Sequence, residues 1–325
     1  MAMRAAVALA AATWACGALA QDPGPAFPAR PVRFVCPFVA GGSGDIFSRT
    51  IAQKLTEALG HPVVVDNRPG ANGGIGTALV ARATPDGHTL LMGSSGPLAV
   101  NPVLHKNVPY DPIKDFAPIT QGTSFMFVLL VPAALPVTGL TEFTALLKAK
   151  PGQMTYGSTG IGGGSHLSGE LFNLLMGTQS VHVPYTGSAA ALAALLGGQT
   201  NYMFDTVITS LPHLRGGRLR GIGVTALRRA SLLPEVPTLD ELGLKGFELT
   251  QWQGVVAPAG TPKPVVDQLY REVAKALRMP DVVERLATQG GNELVGNTPE
   301  KFAQVIRNDL AKYANLVKSA KLQMQ

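Results

Sequence analysis

One unit occurs twice in this chain of 325 residues: an apolar strand that runs into a glycine-rich loop, which in turn opens a helix. The first copy follows the run Val32 to Phe38 and reads Phe38-Val39-Ala40-Gly41-Gly42-Ser43-Gly44-Asp45. The second follows Met154 to Gly157 and reads Gly157-Ser158-Thr159-Gly160-Ile161-Gly162-Gly163-Gly164-Ser165. A strand followed by a helix returns to its sheet as a parallel neighbour, because parallel strands need a crossover that a hairpin cannot supply. Two such units point to α/β architecture in two similar domains rather than one large sheet.

The remaining pattern agrees. From Asp45 to Leu59, Phe47, Ile51, Leu55 and Leu59 recur every four residues and predict a helix. Val63 to Val65 and Thr89 to Met92 read as strands, with a turn-rich segment from Asn67 to Gly76 and a short helix to Ala81 between them. In the second set, helices are expected over Thr141 to Lys150, Ser165 to Met176 and Ser188 to Leu196, and strands over Ser180 to Val183, Tyr202 to Asp205 and Arg220 to Thr225. Phe116 to Val131 and Phe247 to Val256 are extended apolar stretches long enough to cross between domains, and two crossings return the tail to the first. The tail carries a helix after Pro264 and a long one through Phe302, Ile306, Leu310, Tyr313 and Val317.

Met1 to Ala20 has the form of a secretory signal: Arg4, an apolar stretch from Ala5 to Leu19, and the small-x-small site Ala18-Leu19-Ala20 before Gln21. Cys16 lacks the upstream Leu expected of a lipid-attachment site. Cleavage after Ala20 leaves Cys36 as the lone thiol, with no internal disulfide open to it, and its apolar surroundings make it a buried small hydrophobe. Residues 21–122 with 250–325 then form one discontinuous domain and 123–249 the other. Lys and Arg number 27 against 21 Asp and Glu, dispersed and without interleaved aromatics, which argues against nucleic acid.

The loops carry the chemistry. Each leaves backbone N–H groups without partners at the positive end of a helix dipole, where an anion is the natural ligand. Ala40, Gly41, Gly42, Ser43, Gly44 and Asp45 supply one side; Ser158, Thr159, Gly160, Gly163, Ser165 and His166 supply the other. Asp45 either caps its helix or shapes the pocket, and His166 either donates to an anion or orients the loop. Asp205 ends an apolar strand, where it either receives a ligand hydroxyl or ammonium or caps Ser210 and its neighbours. No G-x-x-x-x-G-K-[ST] or G-x-G-x-x-G occurs, so nucleotide phosphate is disfavoured. Neither Ser43 nor Ser95 lies in a complete G-x-S-x-G, which argues against a serine hydrolase. The six histidines show no metal-ligand spacing, and neither metal nor cofactor is expected.

Arg30-Pro31-Val32-Arg33, Asp66-Asn67-Arg68-Pro69-Gly70-Ala71, Ala83-Thr84-Pro85-Asp86-Gly87-His88-Thr89, Tyr110-Asp111-Pro112 and Asp115-Phe116-Ala117-Pro118 follow one another in order. His182-Val183-Pro184-Tyr185-Thr186-Gly187, Val236-Pro237-Thr238, Trp252-Gln253-Gly254 and Ala257-Pro258-Ala259-Gly260-Thr261-Pro262 continue them. In this order the motifs resemble the Bug proteins, the TctC-type solute receptors of tripartite tricarboxylate transporters, from about Pro28 to the last helix.

The resemblance implies a periplasmic binding protein of the two-domain Venus-flytrap fold, each domain a mainly parallel sheet flanked by helices. It implies a non-enzymatic monomer that closes on a small carboxylate (a di- or tricarboxylate, an aromatic acid or an amino acid) and passes it to membrane transporter subunits or to a sensory system. The carboxylate would be held by amides and hydroxyls of the two loops, partly through water, and not by an arginine. Ser94, Ser95, Tyr185 and Asp205 match positions that border the pocket in that family.

Overall fold

In the computed structural model, described over residues 27–289 and 291–319, the glycine-rich loops join strands to helices as expected. The signal and its cleavage site lie outside the described residues. The first half runs β1 (Val32–Cys36), α1 (Ser43–Leu59), β2 (Val63–Asn67), α2 (Gly74–Ala81), β3 (Thr89–Ser94), a wide helical turn at Gly96–Val100 and α3 (Asn101–Leu104). A 17-residue strand, β4 (Phe116–Pro132), leads to α4 (Leu140–Ala149), β5 (Thr155–Ser158), α5 (Gly164–Met176), β6 (Val181–Pro184), α6 (Ser188–Leu196), β7 (Tyr202–Thr206), α7 (Val207–Arg215) and β8 (Leu219–Val224). The chain returns through β9 (Thr250–Pro258), α8 (Lys263–Ala276), α9 (Pro280–Val283), β10 (Glu293–Leu294) and α10 (Pro299–Ser319).

Hydrogen bonding runs continuously in the order β2-β1-β3-β9-β4-β7-β5-β6, with β8 and β10 also on β4. The division falls within β4. Phe116 to Met126 pair with β9, whereas Phe127 to Pro132 pair with β7 and β8. Ahead of that division the β4–β9 ladder shifts register twice, between Pro118 and Thr120 and between Gln121 and Thr123, as bulges do. Each half has three parallel strands, β2-β1-β3 and β6-β5-β7, and one neighbour running against them: β9 beside β3, and β4 beside β7.

The predicted apolar faces fill the cores. Phe47, Ile51 and Leu55 of α1 are fully buried against β1 and β3 residues such as Phe34 and Met92. Gly60 and Gly177, both at positive φ, end α1 and α5 by donating their N–H groups to Thr56 and Asn173 carbonyls. In the second half Phe143, Tyr156, Phe172, Tyr202 and Phe204 form the centre. α10 straddles the join: Phe302 and Ile306 pack with Trp252 and Phe116, while Tyr313 and Val317 enter the second core. Cys36 is buried, and its burial pushes the thiol up, away from reactivity.

Some elements carried no expectation, α3, α7, α9 and β10 among them; α7 carries Thr209, Ser210 and an internal Pro212, which interrupt an apolar helical pattern. α1 begins at Ser43, earlier than Asp45, because Gly42 in extended conformation already serves as its N-cap.

Candidate functional site

The two loops meet at a cavity of about 1160 Å³ between the halves of the molecule, slightly beyond the usual range for small-molecule sites. Their geometry is matched. Gly41 and Gly162 stand at positive φ, Gly42 and Gly163 follow in extended conformation, and the carbonyls of those two accept the N–H groups of Ile46 and Leu167. Among the described residues, the N–H groups of Ser43, Gly44 and Asp45 find no protein acceptor, nor do those of Gly164, Ser165 and His166. Two helix N-termini therefore present free donors from either side of the cavity. The one Lys or Arg in its lining is Arg82, exposed at the far end of α2.

Of the residues singled out from the sequence, Gly42, Ser43, Gly44 and Ser94 line the cavity from the first half, and Thr159, Gly160, Gly163, Tyr185 and Asp205 from the second. Others lie outside the lining. Ala40 and Gly41 are exposed, and the Gly41 N–H is taken by Asp45 Oδ2 at 3.0 Å. Asp45 also receives Arg49 and the Asn67 amide, each at 2.9 Å, so its carboxylate braces the loop. Burial pushes this carboxyl up, but Arg49, Gly41 and Asn67 together outweigh it and hold it below the usual carboxylate range.

The second loop is braced by histidines. His166 Nδ1 accepts the Gly162 N–H at 3.1 Å, and its ring stacks on His182 at 4.0 Å between centroids. Burial lowers both rings' proton affinity, and His182, also facing His166, falls to about 3. Both are neutral at physiological pH, so His166 orients the loop as an acceptor. Ser158 Oγ lies 2.6 Å from His182 Nε2 and within reach of the Gly160 N–H, fully buried behind the lining. Ser165 donates to the Phe204 carbonyl. Ser95 Oγ accepts the Trp252 N–H at 3.1 Å. Ser43 Oγ accepts the Gln253 amide at 3.2 Å, so neither serine first weighed as a nucleophile is bonded to a base.

Asp205 is fully buried and accepts the hydroxyls of Ser188 and Thr209, each at 2.8 Å. Ser210 donates instead to the Thr206 carbonyl, and of its neighbours in the first turn of α7 it is Thr209 that Asp205 holds.

Sequence reasoning missed three contributors. Gln251 and Gln253 both line the cavity from β9, and the buried Nε2 of Gln251 has no partner among the described residues. Two glutamines at i and i+2 of an apolar strand share one face, and that was the available signal. Asn72, at φ 48°, donates to Asn101 Oδ1 at 3.0 Å and stands beside Gly162 and Gly163 of the opposite loop.

The model of the tripartite tricarboxylate transporter family receptor matches residues 47–322. The chain belongs to this family. Protein BugT of Bordetella pertussis is 36% identical over 293 residues, covering 90% of each chain. The periplasmic binding protein BugD is 36% identical with a TM-score of 0.87, over 92% of this chain and all of that one. A Rhodopseudomonas palustris protein solved with adipate is 34% identical at TM-score 0.87, over 91% and 98% of the chains. MatC of the same species, solved with bound malate, is 34% identical at 0.85, over 90% and 100%. The receptor is thus a periplasmic solute-binding protein of α/β binding-protein fold, and not an enzyme. Among the described residues, no helix is long and apolar enough to cross a membrane, and no three potential ligands gather to hold a metal ion.

Proposed function

We propose that this receptor captures a small carboxylate between residues 21–122 with 250–325 on one side and 123–249 on the other. The monomer then passes its ligand to the membrane subunits of a tripartite transporter. One observation carries the reading: two helix N-termini with unpartnered N–H groups open on one cavity whose lining holds a single, peripheral arginine. Amide donors fixed in this way recognise a carboxylate without a counter-ion side chain. Each charge-assisted bond contributes about 1.5–3 kcal/mol, so four of them supply about 6–12 kcal/mol, the scale on which micromolar affinity, about 8 kcal/mol, lies. Adipate and malate, seen on two relatives, belong to this chemical class.

Closure follows from the same geometry. A ligand that reaches both loops binds the closed form better than the open one, and that difference in affinity drives the population shift. A thermal-shift screen over mono-, di- and tricarboxylates, aromatic acids and amino acids tests the proposal. A cognate acid at 100 times its Kd stabilises the protein by about 2.7 kcal/mol. A panel without any shift overturns it.

A further inference from the structure

We infer that Asp205, acting through Ser188, makes the cavity selective for carboxylic acids that also carry a hydroxyl or ammonium group. This rests on the carboxylate reading above and adds which acids the site prefers.

Asp205 is the penultimate residue of β7 and bonds residues in the first turns of α6 and α7. It is fully buried, and among the described residues no cation pairs with it. An unpaired carboxylate in a protein interior is costly, and at the wall of a ligand cavity it points to a functional role. Its two oxygens accept from Ser188 Oγ and Thr209 Oγ1.

The direction of those bonds decides the chemistry. An ionised carboxylate only accepts, so Ser188 must donate its single proton to Asp205. Ser188 lines the cavity and is only partly buried, and what it can offer a ligand is lone pairs. A second carboxylate at this wall meets acceptors opposite acceptors. A plain hydrocarbon carbon leaves the Ser188 oxygen desolvated without a donor, an asymmetry that penalises the unsubstituted acid. A hydroxyl or ammonium supplies the missing proton.

The wall also lies where such a group would fall. Gly187 N–H donates to the Thr159 carbonyl at 3.3 Å, and Ser165 donates to the Phe204 carbonyl, tying Ser188 and Asp205 to the second loop. The acceptor wall is therefore fastened to the loop that bears the free amides, and both belong to one cavity lining.

The test uses acids that differ in one substituent: propionate, lactate and alanine; succinate, malate and aspartate; phenylacetate and mandelate. Each is titrated calorimetrically into the wild type, Asp205→Asn and Ser188→Ala, with melting curves to establish folding. In the wild type, the hydroxy or amino member of a series binds at least tenfold more tightly than its unsubstituted parent. Ser188→Ala removes the oxygen, reducing every ratio to threefold or less as the unsubstituted parent binds more tightly; in Asp205→Asn the amide frees Ser188 to donate outward, which reduces the amino ratio alone, because a hydroxyl also accepts. The partly buried Ser188 keeps the test open if Asp205→Asn does not fold. Equal affinities within every series, or a ratio that survives both substitutions, overturn this inference and leave the carboxylate reading standing. Failure of every acid to bind overturns both.

Discussion

His166 serves the second glycine loop as Asp45 serves the first: each stands third in its helix and accepts the N–H of the glycine before the N-cap. The acceptors differ in chemistry. One is a carboxylate held ionised by Arg49, Gly41 and Asn67 against the pull of burial. The other is a ring held neutral by burial, although Glu170 opposes it. Both consume the outermost amide and turn the next ones inward, so the free donors are those of the first helical turn.

Removing either acceptor should loosen its loop. Asp45→Ala and His166→Ala are each expected to cost about 1–2 kcal/mol of stability, the range of a lost helix cap, and to weaken ligand binding as well. Denaturant unfolding and calorimetric titration read the two effects separately. Unchanged stability with unchanged affinity in both variants would contradict the bracing role.

Asp205 should give the protein a distinct pH response. Burial raises its carboxyl to about 6 from the ordinary 3.8, against the hydrogen bonds of Thr209 and Ser188. Below the unfolded value both states are protonated and the group contributes nothing. Above about pH 6 both are ionised, and the folded state carries the whole burial penalty. Between them the folded state binds more protons, so stability falls as pH rises. The displacement corresponds to roughly 3 kcal/mol. Unfolding measured from pH 4 to 7 should show Asp205→Asn gaining on the wild type by up to that amount across the interval. A constant difference between the two would sink the assignment.

Two glycines should respond unequally to a methyl group. At Gly164 an added Cβ would lie 2.3 Å from Phe127 Cζ and 2.5 Å from Gln251 Cδ, inside the cavity wall. Gly164→Ala is expected to destabilise by about 1–3 kcal/mol and to displace the Gln251 amide, lowering affinity. At Gly44 the nearest atom, 2.6 Å away, is the mobile tip of Met92, which can rotate aside. Gly44→Ala should therefore be the milder change in melting temperature, and the reverse order would argue against this packing.

How much of this could be read beforehand depended on whether the signal was local. The loops announced themselves, because glycine at a strand-to-helix joint has a backbone reason, and α6 matched its expected span from Ser188 to Leu196. α7 drew no expectation, since Pro212 and three hydroxyl residues, Thr206, Thr209 and Ser210, break its apolar pattern. The free amide of Gln251 depends on β9 lying against β4 in one register, with Trp252 opposite Ser124, and pairings between such distant segments leave no trace in either. The two readings left open for Asp205 needed the direction of a proton, which only its contacts to Ser188 and Thr209 supply.

Trp252 offers a direct view of closure. Trp14 apart, it is the sequence's only tryptophan, and it is buried on β9 opposite Ser124 of β4. Its indole donates to Asp309 Oδ2 at 2.7 Å, its backbone N–H to Ser95, and its ring meets Phe302 edge-on. Asp309 on α10, Ser95 after β3 and the strand β9 thus all converge on one residue. The proposed closure, if it bends β4 and β9 there, should alter the field of the Asp309 carboxylate at the indole. A cognate acid should shift the emission along a saturable curve with the same Kd as calorimetry. Trp252→Phe should abolish the signal and still bind. A ligand that binds calorimetrically without any change in emission would place the hinge elsewhere than at Trp252.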